Sequence, residues 1–334
     1  MKISASIYSD ARKDLSLTVT ELDAHQVDLF HVDCLDDPKV FEDIRVLRSL
    51  SQIPVDLHII TSTPSRFFPL LLEVPVEYVT FQVEPLEEPL VWPKELRAAK
   101  GVAITTPTPV DAFDAFSDCD FILIMATVPG QSGGVFDQEN FKKIRTFRKR
   151  YPNKSIHVDG GVNGEVSFIL RNMGVSTAVS GSYLFKGPSI GNALLNLTAR
   201  THASAYKISD FMIPLDECPV VDISTCTTET ILETIELGNL GFCLVTEAHG
   251  RLAGIVSSAD IRKALWKEIK YQIPITPASL VNKNPLTIHD SDSVYDMLRF
   301  LKKAPFPVMY LPVVDIHQHA AGVINFVNLI KGEL

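Results

Sequence analysis

The sequence predicts a (β/α)8 barrel followed by a smaller α/β module, and three observations carry that prediction. Eight short runs rich in apolar and β-branched residues recur at intervals of roughly 20 to 27 residues between positions 2 and 182. The segments between them place apolar residues at helical spacing, with charges on the opposite face. After Leu184 the rhythm stops, and residues 209–334 contain a weak internal repeat.

In order, the runs are KISASIYS, VDLFHVD, PVDLHII, YVTFQVE, GVAITT, FILIMAT, SIHVDG and TAVSGS. Strands covered on both faces need such runs with few polar interruptions. FEDIRVLRSL, QENFKKIRTFRKRY and GEVSFILRNMG read as outer helices, and a helix is expected after every strand. A doubly wound open sheet is the competing fold, but its dinucleotide glycine fingerprint is absent after the first run. SIGNALLNLTART reads as the closing helix of a barrel spanning 1–200, and residues 201–208 read as a linker. Beyond it, residues 222–265 are echoed by 287–330 at an offset of about 65 to 68 positions. Each copy reads helix, strand, turn, strand, helix, so 209–334 divides at about 272/273 into two units expected to bury a face against each other.

Composition agrees with two ordered domains. The 334 residues exceed the usual single-domain size, and an apolar share of 46% can fill two cores. A net charge of -9 disfavours nucleic acid as a partner, because replacing phosphate counterions needs a basic face. The start MKISASIYSD has no charged leader before an apolar run, and nowhere do 18 apolar residues run on, so a cytoplasmic protein with no membrane partner is expected. Five cysteines without a C-x-x-C pair read as buried thiols rather than disulfides or a zinc knuckle.

The chemistry concentrates at strand ends. In FHVDC, His31 and Asp33 are two apart and share a strand face. His58 lies at the end of the third run and Asp159 at the end of the seventh, and barrels of this kind gather their active sites at that rim. Taken singly, each reads as a polar residue of a barrel mouth. Together they form a mixed N/O set suited to one divalent ion, Zn, Mn, Fe or Co, with positions left for substrate oxygens. The loops after runs seven and eight carry Gly160-Gly161 and Gly181-Ser182, either tight turns or a phosphate cradle in which backbone N–H groups approach an anion. VPGQSGGVF after run six, with Gly130, Gly133 and Gly134, has the composition of a lid or of an exposed connector.

Over roughly residues 1–186 the chain resembles the ribulose-phosphate 3-epimerase family. Stretches of the types S-I-L-S, H-V-D-x-M-D, D-x-H-L-M, N-P-G-x-G-G-Q and V-D-G-G have ordered counterparts in SIYS, HVDCLD, DLHII, VPGQSGG and VDGG. The resemblance implies His31, Asp33, His58 and Asp159 as metal ligands, with Asp33 and Asp159 also acting as the acid/base pair. It implies a ketose phosphate substrate held by Ser6, Gly130, Gly133, Gly134, Gly160, Gly161, Gly181 and Ser182. Departures fall in the substrate-facing loops: LDDPKVF replaces a longer segment, Leu35 and Asp37 stand for Met and Gly, Val128 replaces an Asn, Val135 follows the glycine pair where Gln is expected nearby, and Gln82 stands where His is common.

The tail resembles a tandem pair of CBS domains, through GRLAGIVSSADIRKAL in the first copy and LPVVD followed by AGVINFVNLI in the second. That resemblance implies an adenine nucleotide at Ser257 and Asp260; Asn325 and Asn328 take those places in the second copy, which leaves at most one well-formed site. A dimerisation module is the other reading of the pair, and a homo-oligomer is expected. The chain is therefore read as a cytoplasmic isomerase, epimerising ribulose 5-phosphate and xylulose 5-phosphate or a related ketose phosphate through a metal-stabilised enediolate. Two alternatives stand beside it: a non-catalytic sugar-phosphate and nucleotide sensor or scaffold, and a hexulose-6-phosphate 3-epimerase.

Overall fold

A computed structural model describes residues 1–10, 13–130, 133–198, 206–304, 306 and 308–326. The chain divides into two compact units between His202 and Ala203. The first holds a closed barrel of eight parallel strands in sequence order: β1 (Lys2–Ser6), β2 (Leu29–Leu35), β3 (Val55–Ile60), β4 (Tyr78–Gln82), β5 (Ala99–Thr105), β6 (Phe121–Met125), β7 (Ser155–Asp159) and β8 (Thr177–Ser180). Each falls on one of the eight runs. The first is shorter than its run, because Ile7–Ser9 turn into a 3-10 helix that brings the Ser6 and Ser9 hydroxyls within 3.1 Å.

Helices α1 (Leu15–Ala24), α2 (Val40–Leu50), α3 (Phe68–Glu73), α4 (Glu139–Arg150), α5 (Gly164–Asn172), α6 (Ser182–Lys186) and α7 (Ile190–Thr198) follow six of the strands. Their ends obey local chemistry. The Asp14 carboxylate accepts the Leu17 N–H at the start of α1, the Asn163 side chain accepts the Val166 N–H at the start of α5, and Arg148, Lys149 and Arg150 meet the negative end of the α4 dipole.

A helix after every strand is the expectation that fails. No helix follows β4, where Pro85, Pro89 and Pro93 remove backbone donors at short intervals. Trp92 from that loop instead packs on Phe81 and Phe68, with ring centroids 5.5 and 6.4 Å away. After β5, Pro107 and Pro109 precede only a 3-10 stretch, Val110–Phe116, whose buried Phe113 stacks on Phe147 and Tyr151.

Inside the barrel, period-two alternation separates two chemistries. Ala103, Leu123 and Met125 form an apolar cluster. Ser4, His31, Asp56, His58, Thr80 and Gln82 are buried and polar. The His157 ring stacks on Phe121 at 4.1 Å, and burial lowers its pKa to about 4, so it is neutral at pH 7.

The second unit contains α8 (Ile208–Phe211), β9 (Ile213–Pro214), β10 (Val220–Asp222), α9 (Thr228–Gly238), β11 (Phe242–Thr246), β12 (Leu252–Ser257), α10 (Ser258–Tyr271), α11 (Pro277–Leu280), β13 (Ile288–His289), α12 (Val294–Lys302), β14 (Tyr310–Val314) and β15 (Ala320–Asn325). The repeat is visible in detail. α9-β11-β12 and α12-β14-β15 share the helix-strand-strand order, and each hairpin has a register shift at the same place, Val245/Thr246 and Val313/Val314. The helix expected to close the second copy lies outside the described residues. The expected linker is ordered at its end: Ile208, inside 201–208, is buried and begins α8, while 201–205 lie outside the described residues.

The sheets are β10-β11-β12 and β13-β14-β15-β9. β9, ahead of the first copy, therefore pairs with β15 of the second, and Asn282, ahead of the second copy, bridges to Ile255 of the first. Gly254 and Gly322 make these exchanges possible, since a Cβ there would lie 2.4 Å from the Asn282 carbonyl and 2.1 Å from that of Ile213. Phe242, Leu244 and Ile255 of the first copy pack with Ala320 and Val323 of the second, the shared face expected of paired copies. Among the described residues no helix is long and apolar enough to cross a membrane.

Candidate metal centre

Two neighbouring strands build most of the centre. In the parallel register of β2 and β3, His31 lies beside Asp56 and Asp33 beside His58. Residues two apart share a face, so these four side chains form a two-by-two grid on the inner wall. Asp159 arrives from the far side, because β1 and β8 stand between β2 and β7. One ligand atom from each of His31, Asp33, His58 and Asp159 lies within 4.8 Å of all the others. The structure thus brings the four predicted residues to one point.

That point is lined with polar atoms that lack hydrogen-bond partners. Asp33 Oδ1 stands 3.4 Å from His31 Nε2 and 3.3 Å from His58 Nδ1, and Asp159 Oδ2 stands 3.8 Å from His31 Nε2. His31 Nε2, Asp33 Oδ1 and His58 Nδ1 are buried without a hydrogen-bond partner. A buried polar atom left unsatisfied costs about 1–3 kcal/mol, so three facing one another are a substantial penalty unless a proton or a cation joins them. Ligands about 2.0–2.2 Å from one ion sit a little over 3 Å apart, which the spacings of Asp33 to the two histidines match, while Asp159 stands somewhat further out. The residues fit a divalent metal.

The far nitrogens of both imidazoles are engaged. His31 Nδ1 lies 2.9 Å from Asp56 Oδ2, which also accepts the Ser4 hydroxyl at 2.9 Å. His58 Nε2 lies 2.9 Å from Gln82 Oε1. Asp56 was not among the predicted site residues, and Gln82 stood out only as a departure. Alternation was the available signal, since VDLHI puts Asp56 on the face of His58.

Charge follows from this crowding. Burial raises the Asp33 carboxyl, but His31 and His58 outweigh it and hold the group far below the usual carboxylate range. Burial raises Asp159 to about 6; His31 opposes this and the Asp33 charge adds to it. Burial lowers His31, yet Asp33 and Asp56 together carry it well above its ordinary value. Without metal, the centre holds protons on groups that must release them to bind a cation.

The predicted glycines sit at close contacts between loops. Gly160 (φ +111°) and Gly161 (φ +66°) use conformations that L side chains avoid, and a Cβ on them would meet Thr127 Oγ1 at 2.3 Å and the Phe136 nitrogen at 2.2 Å. A Cβ on Gly134 would also meet Thr127, so the loops after β6 and β7 converge on that residue. A Cβ on Gly181 would lie 2.2 Å from Ser9 Oγ and 3.3 Å from Ser6 Cβ, so the loop after β8 packs closely on that after β1; Ser182 begins α6. Gly133 lies beside the Lys186 ammonium, and Gly130 beside Leu35. Three of the residues that depart from the resembled motifs are exposed: Leu35, Val128 and Val135, at 57%, 60% and 86%. Asp36 at φ +55° makes the tight turn that shortens the loop after β2.

In the second unit, Ser257 Oγ donates to Asp260 Oδ2 at 2.6 Å, and the same oxygen accepts the Ser257 N–H at 3.0 Å, so this pair caps α10. Asn325 ends β15; Asn328 lies outside the described residues.

Comparison with known proteins finds relatives of both parts of the chain. A model of the ribulose-phosphate 3 epimerase family matches residues 2–185, and a CBS domain model matches residues 278–333. Ribulose-phosphate 3-epimerase of Mycobacterium leprae is 30% identical over 190 residues, covering 53% of this chain and 85% of that protein. The Methanocaldococcus jannaschii enzyme of the same name is 30% identical over 212 residues, covering 59% and 89%. Among solved structures, the CBS-pair protein CBSX2 from Arabidopsis thaliana is 25% identical, with a TM-score of 0.31, covering 38% of this chain and 94% of that one.

The Asp56 contact yields a test. Asp56→Ala removes the acceptor that orients His31, and metal affinity, measured by competition with a chelator, is expected to fall about 10- to 100-fold with the circular dichroism spectrum unchanged. Parent-like affinity would remove Asp56 from the centre.

Proposed function

The chain belongs to the ribulose-phosphate 3-epimerase family, and on that premise we propose that it is a divalent-metal-dependent sugar-phosphate 3-epimerase, an isomerase interconverting ribulose 5-phosphate and xylulose 5-phosphate. The observation that carries this reading is the convergence of four ligand atoms, two of them carboxylate oxygens reaching the point from strands on different sides of the barrel. Inverting a carbon requires a proton to leave one face and another to arrive at the opposite face. Those two tasks are assigned to Asp33 and Asp159, which exchange roles when the reaction runs backward.

His31 and His58, locked at their far nitrogens, hold metal and move no proton. When bound, Zn, Mn, Fe or Co supplies a Lewis acid at the substrate C2 carbonyl and C3 hydroxyl, a contribution of several kcal/mol that acidifies the C3 proton. Positioned carboxylates add roughly 10²- to 10⁴-fold. Gly160, Gly161 and Gly181, with Ser6, Ser182 and the Gly130–Gly134 loop, receive the phosphate. The exposed Leu35, Val128 and Val135 form the wall that sets chain length of the sugar, and a hexulose phosphate is the alternative substrate.

Domain roles follow: 1–200 is catalytic, 201–208 connects, and 209–334 is a CBS pair that binds an adenine nucleotide at Ser257 and Asp260. CBSX2, the similar protein above, has also been crystallised with AMP. Trp266 and Ile269, exposed on α10, are apolar groups of the kind a homo-oligomer buries.

Exchange measurements test the enzyme. In heavy water the metal-loaded protein is expected to incorporate deuterium at C3 of ribulose 5-phosphate faster than of hexulose 6-phosphate, with at least 10²-fold loss in Asp33→Asn and in Asp159→Asn. Full exchange in either variant would sink the acid/base assignment, and binding without exchange of any ketose phosphate would make the barrel a sensor. For the tail, calorimetry is expected to show AMP binding weakened about 10-fold or more by Asp260→Ala. Equal heats in both proteins would move the nucleotide elsewhere, and no heat in the parent would leave the pair an oligomerisation module.

A further inference from the structure

Gln82 and Glu84 take no part in the chemistry above, yet they complete an unbroken chain of hydrogen bonds ending at His58. We propose that they are positioning residues that fix the tautomer of His58, so that its Nδ1 presents a lone pair to the metal; this rests on the reading of His58 as a ligand.

The argument is one of donors and acceptors. His58 Nε2 and Gln82 Oε1 are 2.9 Å apart in a buried contact, but an imidazole nitrogen can donate or accept, and an amide can present either end. That contact alone leaves two arrangements. Glu84 decides between them. Its carboxylate can only accept, and it touches the other end of the Gln82 amide, so that end must be the NH2. The Gln82 carbonyl therefore faces His58, Nε2 carries a hydrogen, and in the neutral ring Nδ1 keeps its lone pair. Nδ1 faces Asp33 Oδ1 across 3.3 Å, and neither atom has a hydrogen-bond partner.

Glu84 is itself held as an acceptor. Its Oε1 takes the Thr105 N–H and the Thr105 hydroxyl, both at 2.8 Å, and the Thr108 hydroxyl. The Lys143 ammonium on α4 holds the carbonyls of Thr105 and Thr108, fixing the segment that grips Glu84. Orientation is thus passed from α4 through two threonines, one carboxylate and one amide to the imidazole. On the other wall Asp56 orients His31 directly.

The test uses Zn2+ alone as probe, with affinity read by competition with a chromogenic chelator and the His58 tautomer read from imidazole 15N shifts in the metal-free protein. In the parent, the neutral His58 ring is expected to carry its hydrogen on Nε2. Glu84→Gln lets the amide at 82 turn round, and zinc affinity is expected to fall about 10- to 100-fold with a mixed or reversed tautomer. Combining Gln82→Glu with Glu84→Gln reverses the polarity of the bridge: the new carboxylate accepts from His58 and the new amide donates to it. This double variant is expected to return to within a few-fold of parent affinity and to the parent tautomer, which a loss of packing would not do. Parent-like affinity in Glu84→Gln, no recovery in the double variant, or an Nδ1-protonated ring in the parent overturns the proposal. Failure of the parent to bind zinc overturns the metal centre itself, so the two failures are distinguishable.

Discussion

Three buried atoms, His31 Nε2, Asp33 Oδ1 and His58 Nδ1, face one another without a hydrogen-bond partner, and their shared need for a proton or a cation organises the barrel mouth. Each is unsatisfied because its neighbours are satisfied. Asp56 occupies the far nitrogen of His31 and Gln82 that of His58, which leaves only the near nitrogens for the centre. Uncompensated, the arrangement opposes folding by several kcal/mol. With a cation present the same atoms become a preorganised ligand set, and Asp159 completes it from across the barrel.

The remainder of the barrel supports this arrangement. The tight turns at Gly160 and Gly161 follow Asp159 directly, and their contacts with Thr127 and Phe136 hold the loops after β6 and β7 together beside the metal point. Proline-rich connections after β4 and β5 omit two helices, yet Trp92 and Phe113 cover the outer wall that those helices would have protected. The loop after β5 also carries Thr105 and Thr108, which grip Glu84. A departure from regular barrel architecture thus lies beside the residues that orient His58.

Much of this was legible in the sequence because its signals are short-range. Period-two alternation placed His31 with Asp33, and the recurrence of apolar runs gave all eight strands. Asp56 escaped attention although it lies two residues from His58 on the same face. A lone buried Asp in a strand carries no motif, and its partner Ser4 is 52 residues away, so only the register of β1, β2 and β3 discloses the contact. The prolines after β4 were visible, but a regular rhythm of strands outweighed them in the expectation of a helix. In the second unit the repeat was readable, whereas the exchange of β9 and Asn282 between copies was not, because pairing partners are chosen by three-dimensional fit at Gly254 and Gly322.

The central claim is that one divalent ion joins His31, Asp33, His58 and Asp159. Crystals of the protein loaded with Zn2+ or Mn2+, measured on both sides of the absorption edge of the metal, test it most directly. The account predicts one strong anomalous peak per chain at the barrel mouth, within about 2.3 Å of a nitrogen of each histidine and an oxygen of each aspartate. A fully loaded crystal with no peak there, or with the metal bound at other residues, would contradict it.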